Sequence, residues 1–510
     1  MKLLIEDKDV IEVNPDDTLL EIARRYQKDH EHPIVLAKAN NRLVDLWYTP
    51  VRDTRIEFLD LGTVDGIKSY RHSLVFVLLR AFRELYPQMR LIVAHSLGRA
   101  FYVSPKNGDE ITDYMLQQVQ KRMQEITERD EPFIRTKMKR EDAIIEMDRA
   151  GYEDKVRLLR WMDQENIHMY TFGDLKEYFF RPLVPSSGCL TSFCLNKYHS
   201  GFLLGTPRHS KPGRISPITR YDKLFQIFQE YENWGRILQI SDVGHLNEAV
   251  AKSRFKDIML ICETLHEKKI GNIADMIQIA SPRPRVILIA GPSSSGKTTF
   301  SKRLAVHLRV NKLTPHTIAM DDYFVPRTRT PRLPSGEYDY ENIDAIDLEL
   351  FNHHLKQMLS GETVELPHYD FGTGERTPSG RKIHLNNGEV LIVEGIHGLN
   401  KRLTESVADD DKFKIYVSAL THLNIDDHNR FSTTDTRLLR RIVRDSHFRS
   451  YRALETLRRW PLVREGEDQW IFPFQEDADV IFNSSLPYEI SVLRTFAFPI
   501  LMKIPRTEPE

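Results

Sequence analysis

Runs of apolar residues alternate with helical hydrophobic patterns through the second half of the chain. Residues 286–290 are five consecutive apolar residues rich in β-branched side chains, which predicts a buried strand. Apolar residues then recur at helical spacing, at Phe300, Leu304, Ala305 and Leu308. Shorter apolar runs predict further strands at residues 317–320, 390–393, 413–418 and 478–482. This alternation predicts an α/β fold with a mostly parallel, doubly wound sheet.

The first sixty residues have the pattern of a small α+β unit. Short apolar stretches lie on both sides of one amphipathic helix, whose apolar face is Leu19, Ile22, Ala23 and Tyr26. Asn40-Asn41 separates two of the later stretches, which is a hairpin signal. The order of strands and helix predicts a β-grasp fold.

A different pattern begins near residue 63. Arg71-His72-Ser73 is expected to open one helix, and Thr112 is expected to cap a second. A basic stretch with several prolines at 206–220 predicts a linker. Helices then continue to about residue 280 and predict a connector between the halves of the chain.

Composition excludes several classes of protein. Of the 510 residues, 41% are hydrophobic and 28% are charged, which is ordinary for a globular protein. The net charge of −1 gives no global basic field for nucleic acid, so an RNA contact needs a local patch. Three cysteines suit a reducing compartment better than a disulfide scaffold. The N-terminus turns charged too soon for a signal peptide, and no apolar run approaches the ~18 residues of a membrane span. We therefore expect a cytoplasmic protein without a membrane contact.

A glycine-rich turn follows the strand at 286–290. It fits G-x-x-x-x-G-K-[ST], the pattern of a phosphate-binding loop. Its residues are Gly291, Pro292, Ser293, Ser294, Ser295, Gly296, Lys297, Thr298 and Thr299. Glycines and small serines let backbone N–H groups close around phosphate oxygens, and the helix that begins here directs its positive end to the same anion. The pattern places Lys297 for the β- and γ-phosphates of ATP and the Thr298 hydroxyl for Mg²⁺.

Acidic residues end two of the other predicted strands. Asp321 and Asp322 follow the strand at 317–320, and Glu394 follows the strand at 390–393. The carboxyl ends of parallel strands share the sheet edge that also carries the phosphate loop. A carboxylate there can accept a proton from an acceptor hydroxyl, or it can hold Mg²⁺ through water. Because Asp321 and Asp322 point in different directions, one of them is expected to be structural, and Glu394 is placed beside the metal.

Arginines are concentrated between residues 435 and 459. Arg441 and Arg444 are three residues apart and so share one helical face. Guanidinium groups bind the γ-phosphoryl oxygens on which charge develops during phosphoryl transfer. This predicts a helix that closes over ATP as a lid, although a solvated basic helix is the alternative interpretation.

Together these segments resemble the uridine kinase and phosphoribulokinase family over about residues 284–485. The stretches that carry the resemblance are the phosphate loop and residues 320–324, 340–347, 366–371, 393–395 and 436–445. The resemblance implies ATP and Mg²⁺, with Thr298 and Glu394 at the metal and Asp321 as base for a ribose 5′-hydroxyl. Lys297, Arg441 and Arg444 are then catalytic, and Arg449 contacts phosphate. It also implies acceptor contacts from Phe324, Glu341, Tyr369, Asp370 and Phe371.

Two departures from the family pattern concern the acceptor. The base is followed by Tyr323-Phe324, whereas uridine kinases usually have an aromatic residue and then a tyrosine. A histidine expected shortly after Tyr369-Asp370-Phe371 is missing from residues 372–376. A pocket that discriminates uracil needs polar partners, so these departures leave the specificity for uridine open.

The front of the chain resembles the first two domains of threonyl-tRNA synthetases. Residues 1–60 are similar to the TGS domain and residues 63–205 to the editing-type domain, through residues 65–66, 71–73, 84–87, 101–102 and 131–133. That editing family uses an H-x-x-x-H pair and a later C-x-x-x-H pair. This chain keeps His72 but has Phe76 at the second histidine, and Phe179 and Leu183 at the later pair. The resemblance therefore implies a retained fold without editing activity.

The predicted organisation is a TGS-like domain at 1–62, an editing-like domain at 63–205, a connector at 206–280 and a kinase domain at 281–510. The leading hypothesis is an ATP-dependent kinase that converts a ribonucleoside to its 5′-monophosphate, as in a family of fused bacterial nucleoside kinases. A kinase of another hydroxyl metabolite, such as a sugar phosphate, is the second. The third is an RNA-binding regulator switched by a nucleotide, in which the front domains contact RNA or tRNA.

Overall fold

The first unit of the chain is a five-stranded mixed sheet with one helix packed on it. The computed structural model describes residues 1–14, 16–449, 451–505 and 507–508. The elements of this unit are β1 (Lys2–Ile5), β2 (Asp9–Glu12), α1 (Leu19–Tyr26), β3 (Ile34–Ala39), β4 (Arg42–Asp45) and β5 (Thr54–Asp60). The sheet order is β2-β1-β5-β3-β4, with β1 and β5 parallel. Asn40 and Asn41 have φ values of 48° and 63°, as a two-residue hairpin turn requires. The predicted β-grasp fold is confirmed.

The second unit packs two antiparallel sheets around a long buried helix. Its helices are α2 (Val64–Leu85), α3 (Asp113–Glu128), α4 (Arg140–Arg149) and α5 (Glu153–Arg160). Its strands are β6 (Leu91–Leu97), β7 (Ala100–Pro105), β8 (Ile134–Lys139), β9 (Asn166–Phe172), β10 (Leu175–Glu177), β11 (Cys194–Tyr198) and β12 (Gly201–Gly205). The sheet orders are β11-β12-β7-β6 and β10-β9-β8. The expected cap of the second helix is confirmed, since Thr112 Oγ1 accepts from Met115 N at 3.2 Å.

The start of α2 was predicted wrongly at Arg71-His72-Ser73. The helix begins seven residues before Arg71, at Val64, because Thr63 caps it and accepts a hydrogen bond from Gly66 N at 3.1 Å. A threonine before an Asp-Gly pair is a weaker signal than the hydrophobic run that begins at Leu74. Arg71 and His72 consequently lie in the middle of the helix, where their side chains can reach the neighbouring elements.

The stretch predicted as a linker contains a short hairpin, and three helices follow it. The elements are β13 (Pro207–Arg208), β14 (Lys211–Ile215), α6 (Asp222–Leu238), α7 (Val243–Ala251) and α8 (Phe255–Ile279). The aromatic stripe of α6 is buried at Phe225, Phe228 and Tyr231. It packs against Tyr102 of the second unit and Tyr416 of the last unit, so it forms a core between the halves. Among the described residues, no helix is both long enough and apolar enough to span a bilayer.

The last unit contains a five-stranded parallel sheet with helices on both faces. Its strands are β15 (Val286–Ala290), β16 (Pro315–Ala319), β17 (Thr363–Asp370), β18 (Glu375–His384), β19 (Val390–Glu394), β20 (Lys412–Ser418) and β21 (Val480–Asn483). Its helices are α9 (Lys297–Val310), α10 (Leu348–Leu359), α11 (Thr433–Phe448), α12 (Ala453–Trp470) and α13 (Glu489–Leu501). The order is β16-β19-β15-β20-β21, while β17 and β18 form a separate antiparallel hairpin. The predicted parallel, doubly wound fold is confirmed.

An ionic cluster joins the second unit to the last one. Residues 419–432, which we name the anchor segment, connect β20 to α11 and lie against α5 and β10. The Lys155 ammonium is fully buried, 2.7 Å from Glu177 Oε1 and 2.9 Å from Asp426 Oδ1. His428 Nδ1 lies 2.7 Å from Glu177 Oε2. Asp426 also accepts from the backbone N–H groups of His428 and Asn429, so each buried charge has partners.

Candidate functional site

The glycine-rich turn between β15 and α9 has the backbone of a phosphate cradle. Gly291 has a φ of 154°, and a Cβ there would lie 2.0 Å from the carbonyl oxygen of Val417. Gly296 has a φ of 92° and precedes the first residue of α9. Only glycine suits both positions, because one is too close to backbone and the other is left-handed. The loop therefore opens directly onto the N-terminus of a 14-residue helix, where an anion is stabilised.

Lys297 covers the mouth of this loop. Its Nζ donates to the carbonyl oxygens of Gly291 at 2.9 Å and Pro292 at 3.3 Å. The side chain is half-buried, and desolvation lowers the pKa of the ammonium while Glu394 and Asp321 raise it. The cation is thus held over the loop by neutral carbonyl groups, which a phosphate can displace.

Thr298 and Glu394, the two residues predicted to hold a metal, lie in contact beside the loop. Thr298 Oγ1 donates to Glu394 Oε1 at 2.9 Å, and burial raises the pKa of the Glu394 carboxyl. A hydroxyl and a carboxylate are hard oxygen ligands of the kind that Mg²⁺ prefers. Within the described ranges, no three His, Cys, Asp or Glu side chains are grouped as a complete metal site. The residues fit Mg²⁺, which protein side chains hold only partly when nucleotide phosphates and water complete its ligands.

The two adjacent aspartates at the end of β16 face different surroundings. Asp322 Oδ1 lies 3.1 Å from His368 Nδ1 on β17, so that carboxylate ties the turn to the hairpin. Asp321 is open to the cleft, and its charge interacts with Lys297, Arg444 and Arg449. Loss of hydration among the cleft walls raises the pKa of Asp321, and Lys297 and then Arg449 oppose the shift. The geometry favours Asp321 over Asp322 as the residue that meets a reacting group.

The basic helix α11 uses its arginines in two ways. Arg437 is fully buried, donates from Nε to Ser293 O at 3.0 Å and forms an ion pair with Glu467. Arg440 donates to Ser484 Oγ at 3.0 Å and pairs with Glu489. These two arginines therefore hold the outside of the phosphate loop and are not free to act as a lid.

The other arginines of α11 face the cleft. Arg441 NH1 donates to Ser293 Oγ at 3.0 Å, and Asp445 holds Arg444 through Nε at 2.9 Å. Arg449 caps the end of the helix, and its charge, like that of Arg444, acts on Asp321. Desolvation lowers the pKa of Arg444, yet at physiological pH the guanidinium stays charged. The predicted pairing of Arg441 and Arg444 on one face is consistent with this arrangement.

Aromatic side chains from the segment after Asp321 and from the hairpin of β17 and β18 pack together as a wall. Phe324 has its ring centroid 5.5 Å from those of Tyr369 and Phe371 and 5.7 Å from that of Tyr340. Arg327 secures the wall, since it donates to Phe371 O at 2.6 Å. Phe371 remains 51% exposed, so its ring can still contact a ligand.

The predicted acceptor residues Glu341 and Asp370 have unlike roles. Asp370 Oδ1 accepts from Gly372 N at 2.7 Å and Thr373 N at 3.3 Å, so this carboxylate shapes the turn between β17 and β18. Glu341 packs against Gly466 of α12, and its Oε2 is buried without a hydrogen-bond partner among the described residues. Burial and the charge of Glu467 raise the pKa of Glu341 to about 7. Such an unpaired carboxyl at the cleft is a candidate to bind a ligand hydroxyl.

Comparison with known proteins identifies the last unit. The model of the "Phosphoribulokinase / Uridine kinase family" matches residues 286–490. A uridine kinase of Lactobacillus helveticus is 31% identical over 205 residues, which are 39% of this chain and 86% of that kinase. The chain belongs to the phosphoribulokinase/uridine kinase family. The predicted resemblance is confirmed at this level, and membership places the chain among P-loop kinases.

The same comparison relates the front of the chain to synthetases. A threonine–tRNA ligase of Desulforamulus reducens is 26% identical over 216 residues, which are 42% of this chain and 34% of the ligase. The chain thus spans about a third of the length of that ligase. Among solved structures, a possible uridine kinase from Bacillus stearothermophilus has a TM-score of 0.30 and 21% identity, covering 42% of this chain and 98% of its own.

The positions that replace the editing residues are packed together. Phe76 and Phe179 lie 5.3 Å apart between ring centroids, and both are buried, as is Leu183. Phe133 and Phe172 complete this aromatic core, 5.7 Å and 5.4 Å from Phe76. Apolar rings therefore fill the place where the synthetase resemblance puts polar residues. His72 is left beside them.

Two residues of the kinase site were missed by the sequence predictions. Glu467 is fully buried on α12 and accepts from Ser293 N at 3.0 Å, so it fixes the phosphate loop of this family member from a distant helix. His397 follows β19 and is buried near Lys297, and burial lowers the pKa of its ring to about 4. Neither has a local pattern, since a glutamate in a charged helix looks solvated. The position of His397 three residues after the strand-end acid Glu394 was the one available signal.

Proposed function

We propose that this protein transfers the γ-phosphoryl group of ATP to the 5′-hydroxyl of a ribonucleoside. The observation that carries the proposal is the grouping of Asp321, Lys297 and Glu394 at one sheet edge, together with an aromatic wall that includes Phe324, three residues after Asp321. The charged side supports phosphoryl transfer, and the apolar side supports a planar acceptor. A sugar phosphate has no planar group to use the aromatic wall, which favours the nucleoside over that alternative.

In the proposed reaction, the acceptor oxygen attacks the γ-phosphorus in line as its bond to the bridging oxygen of ADP breaks. Asp321 takes the proton of the acceptor hydroxyl, and its raised pKa makes it a stronger base than an ordinary aspartate. Lys297 and the loop N–H groups hold the β- and γ-phosphates. When bound at Thr298 and Glu394, Mg²⁺ neutralises charge on the phosphate oxygens.

The arginines that face the cleft offset the negative charge of the transferred phosphoryl group. Arg441 lies on Ser293 of the loop, and Arg444 and Arg449 act on Asp321 across the cleft. As charge spreads over the γ-phosphoryl oxygens, guanidinium groups on this side stabilise it. They also favour the ionised form of Asp321, which is the form that accepts a proton.

A panel of acceptors with γ-labelled ATP tests the proposal. We expect label in the 5′-monophosphates of ribonucleosides at rates well above those with sugar phosphates or water. Phe371→Ala should raise the KM for the nucleoside by about tenfold, since stacking a base on an aromatic ring is worth roughly 1–3 kcal/mol. The matched control is Phe498→Ala, because Phe498 is 56% exposed on α13.

The panel can also reject the proposal. Label in a sugar phosphate alone would reassign the acceptor and leave the kinase chemistry intact. Salt-sensitive tRNA binding with no labelled acceptor would instead favour the RNA-binding regulator. An equal rise in KM for Phe371→Ala and Phe498→Ala would remove the aromatic wall from the acceptor site.

The raised pKa of Glu341 predicts that phosphorylation of the acceptor depends on pH. Its pKa of about 7 leaves the carboxyl neutral at lower pH and charged at higher pH. A charged carboxylate accepts stronger hydrogen bonds from ribose hydroxyls, so kcat/KM for the nucleoside should rise between about pH 6 and 8. Glu341→Gln should lower kcat/KM at pH 8 and abolish the rise. Glu337→Gln, at an exposed position in the preceding loop, should leave the profile unchanged. A profile that keeps its rise in Glu341→Gln would assign the titration to another group.

A further inference from the structure

Three arginines and a histidine lie close together where α2 meets the anchor segment. We name this group the arginine cluster, and its members are Arg71, His72, Arg181 and Arg430. His72 and Arg430 share the Phe101 ring, which lies 6.4 Å from the His72 ring and 6.0 Å from Arg430 Cζ. Arg181 reaches the same face of α2, since its NH1 lies 3.0 Å from Asp65 Oδ1 and Asp65 precedes His72 by two helical turns. The cluster therefore combines groups from both halves of the chain.

These cations exceed the carboxylates around them. Asp65 pairs with Arg181, and Asp435 lies 3.8 Å from Lys68. Arg430 donates to the neutral Ser96 hydroxyl at 2.5 Å, and Arg71 donates to the neutral Pro207 carbonyl at 3.4 Å. The Nε atoms of Arg71 and Arg430 are buried without acceptors in the part of the chain that the structure describes. Lys68, Arg71, Arg181 and Arg430 are four cations, and Asp65 and Asp435 are two carboxylates. The excess of two positive charges calls for a bound anion.

His72 places a second requirement on the ligand. Its Nδ1 lies 2.8 Å from the carbonyl oxygen of Lys68, which can only accept, so Nδ1 carries the hydrogen. Burial lowers the pKa of His72 to about 4, and the neighbouring arginines contribute, so the ring is neutral at physiological pH. Nε2 consequently presents a lone pair and needs a donor. A matching ligand carries an anionic group for the arginines and a hydroxyl for His72.

Space for such a ligand lies next to the cluster. A cleft that is open to solvent is lined by Arg99, Thr206, Arg208 and other residues. Arg71 borders it through its hydrogen bond to Pro207, which lies between two of these residues. Arg99 is already paired with Asp468 at 2.8 Å, so it adds no free charge.

We propose that the arginine cluster binds a small phosphate monoester that carries hydroxyl groups, with the phosphate on the arginines and a hydroxyl on His72. A phosphate monoester dianion matches the excess of two positive charges. The anchor segment runs from Arg430 to Ser432, the N-cap of α11. The ligand therefore lies at the base of the helix that carries Arg441 and Arg444, a position suited to an effector of the kinase site.

Calorimetric titration of the full chain with ribose 5-phosphate tests the proposal, with the ATP site filled by the β,γ-imido analogue and Mg²⁺. We expect one molecule bound per chain. Arg430→Gln and Arg181→Gln should each weaken binding by at least about tenfold, because each removes a charged hydrogen bond. Arg430→Lys keeps the charge, so it should lose less affinity for ribose 5-phosphate than Arg430→Gln does. Arg24→Gln, at an exposed position on α1, should bind as the wild type does.

Further titrations identify which binding site and which part of the ligand give rise to the measured heat of binding. Ribose should give none, inorganic phosphate should bind more weakly, and Lys297→Ala should retain ribose 5-phosphate affinity. Loss of binding in Lys297→Ala would place the ligand on the phosphate loop and overturn the proposal. Unchanged affinity in both glutamine variants, or tRNA binding without ribose 5-phosphate binding, would overturn it as well.

Discussion

Replacing Asp321 with asparagine is expected to reduce kcat for nucleoside phosphorylation by about 10²–10⁴-fold, the usual contribution of a general base. Asparagine keeps the shape of the side chain but cannot take the acceptor proton. The KM for ATP should change little, because Lys297 and the loop N–H groups hold the phosphates. Steady-state kinetics with the best nucleoside of the acceptor panel give both constants.

The neighbouring aspartate provides the control for that measurement. Asp322 lies one residue away, on the same turn, but its carboxylate contacts His368. Asp322→Asn should therefore keep kcat within a few-fold of the wild type. If the two variants lose activity equally, or if only Asp322→Asn does, the assignment of the base to Asp321 is wrong.

Replacing Lys155 with methionine is expected to lower the free energy of unfolding by about 3–5 kcal/mol, as for other broken buried ion pairs. The ammonium is fully buried between Glu177 and Asp426, and its removal leaves those carboxylates and Asp154 close together with less positive charge to offset them. Burial opposes the charge of Lys155, yet the surrounding carboxylates outweigh it and raise its pKa well above normal. Differential scanning calorimetry should show a lower Tm for the transition of the joined units.

A second lysine that pairs with the anchor segment serves as the comparison. Lys106 pairs with Asp427 at 2.7 Å, but its side chain is 37% exposed. Lys106→Met should cost less than Lys155→Met, because water reaches the Lys106 end of this ion pair and screens it. Adding Glu177→Gln and Asp426→Asn to Lys155→Met should recover part of the loss. Equal effects of the two lysine variants would show that the ionic cluster is not a determinant of stability.

Local patterns explain what the sequence could predict. The phosphate loop, the strand-end acids and the parallel sheet follow from short stretches whose meaning does not depend on distant residues. Arg441 and Arg444 follow from helical spacing. The different surroundings of Asp321 and Asp322 do not follow from any local pattern. They depend on the contact of Asp322 with His368, which lies on a hairpin 46 residues away. Long-range pairing decides which of two equivalent side chains faces the ligand.

The same limit applies to charged residues inside the structure. Arg437 and Glu467 both look like solvated helix positions, yet they meet in the interior and hold Ser293 of the phosphate loop. Lys155 likewise lies in a short helix rich in charge, and its partner Asp426 is 271 residues away. A pattern of polar and apolar residues identifies burial only when the buried side is apolar.

The ionic cluster makes the fusion of the two halves difficult to reverse. Lys155 and Glu177 come from the front half, and Asp426 and His428 come from the kinase half. A shorter descendant that lost its front half would expose Asp426 and His428 without their partners, and in a front half alone Glu177 would lose its contact with His428. Gene fission would thus need several compensating substitutions at once. Selection on the fold alone can preserve the synthetase-like half of this chain, even though phenylalanines lie where the synthetase resemblance puts polar residues.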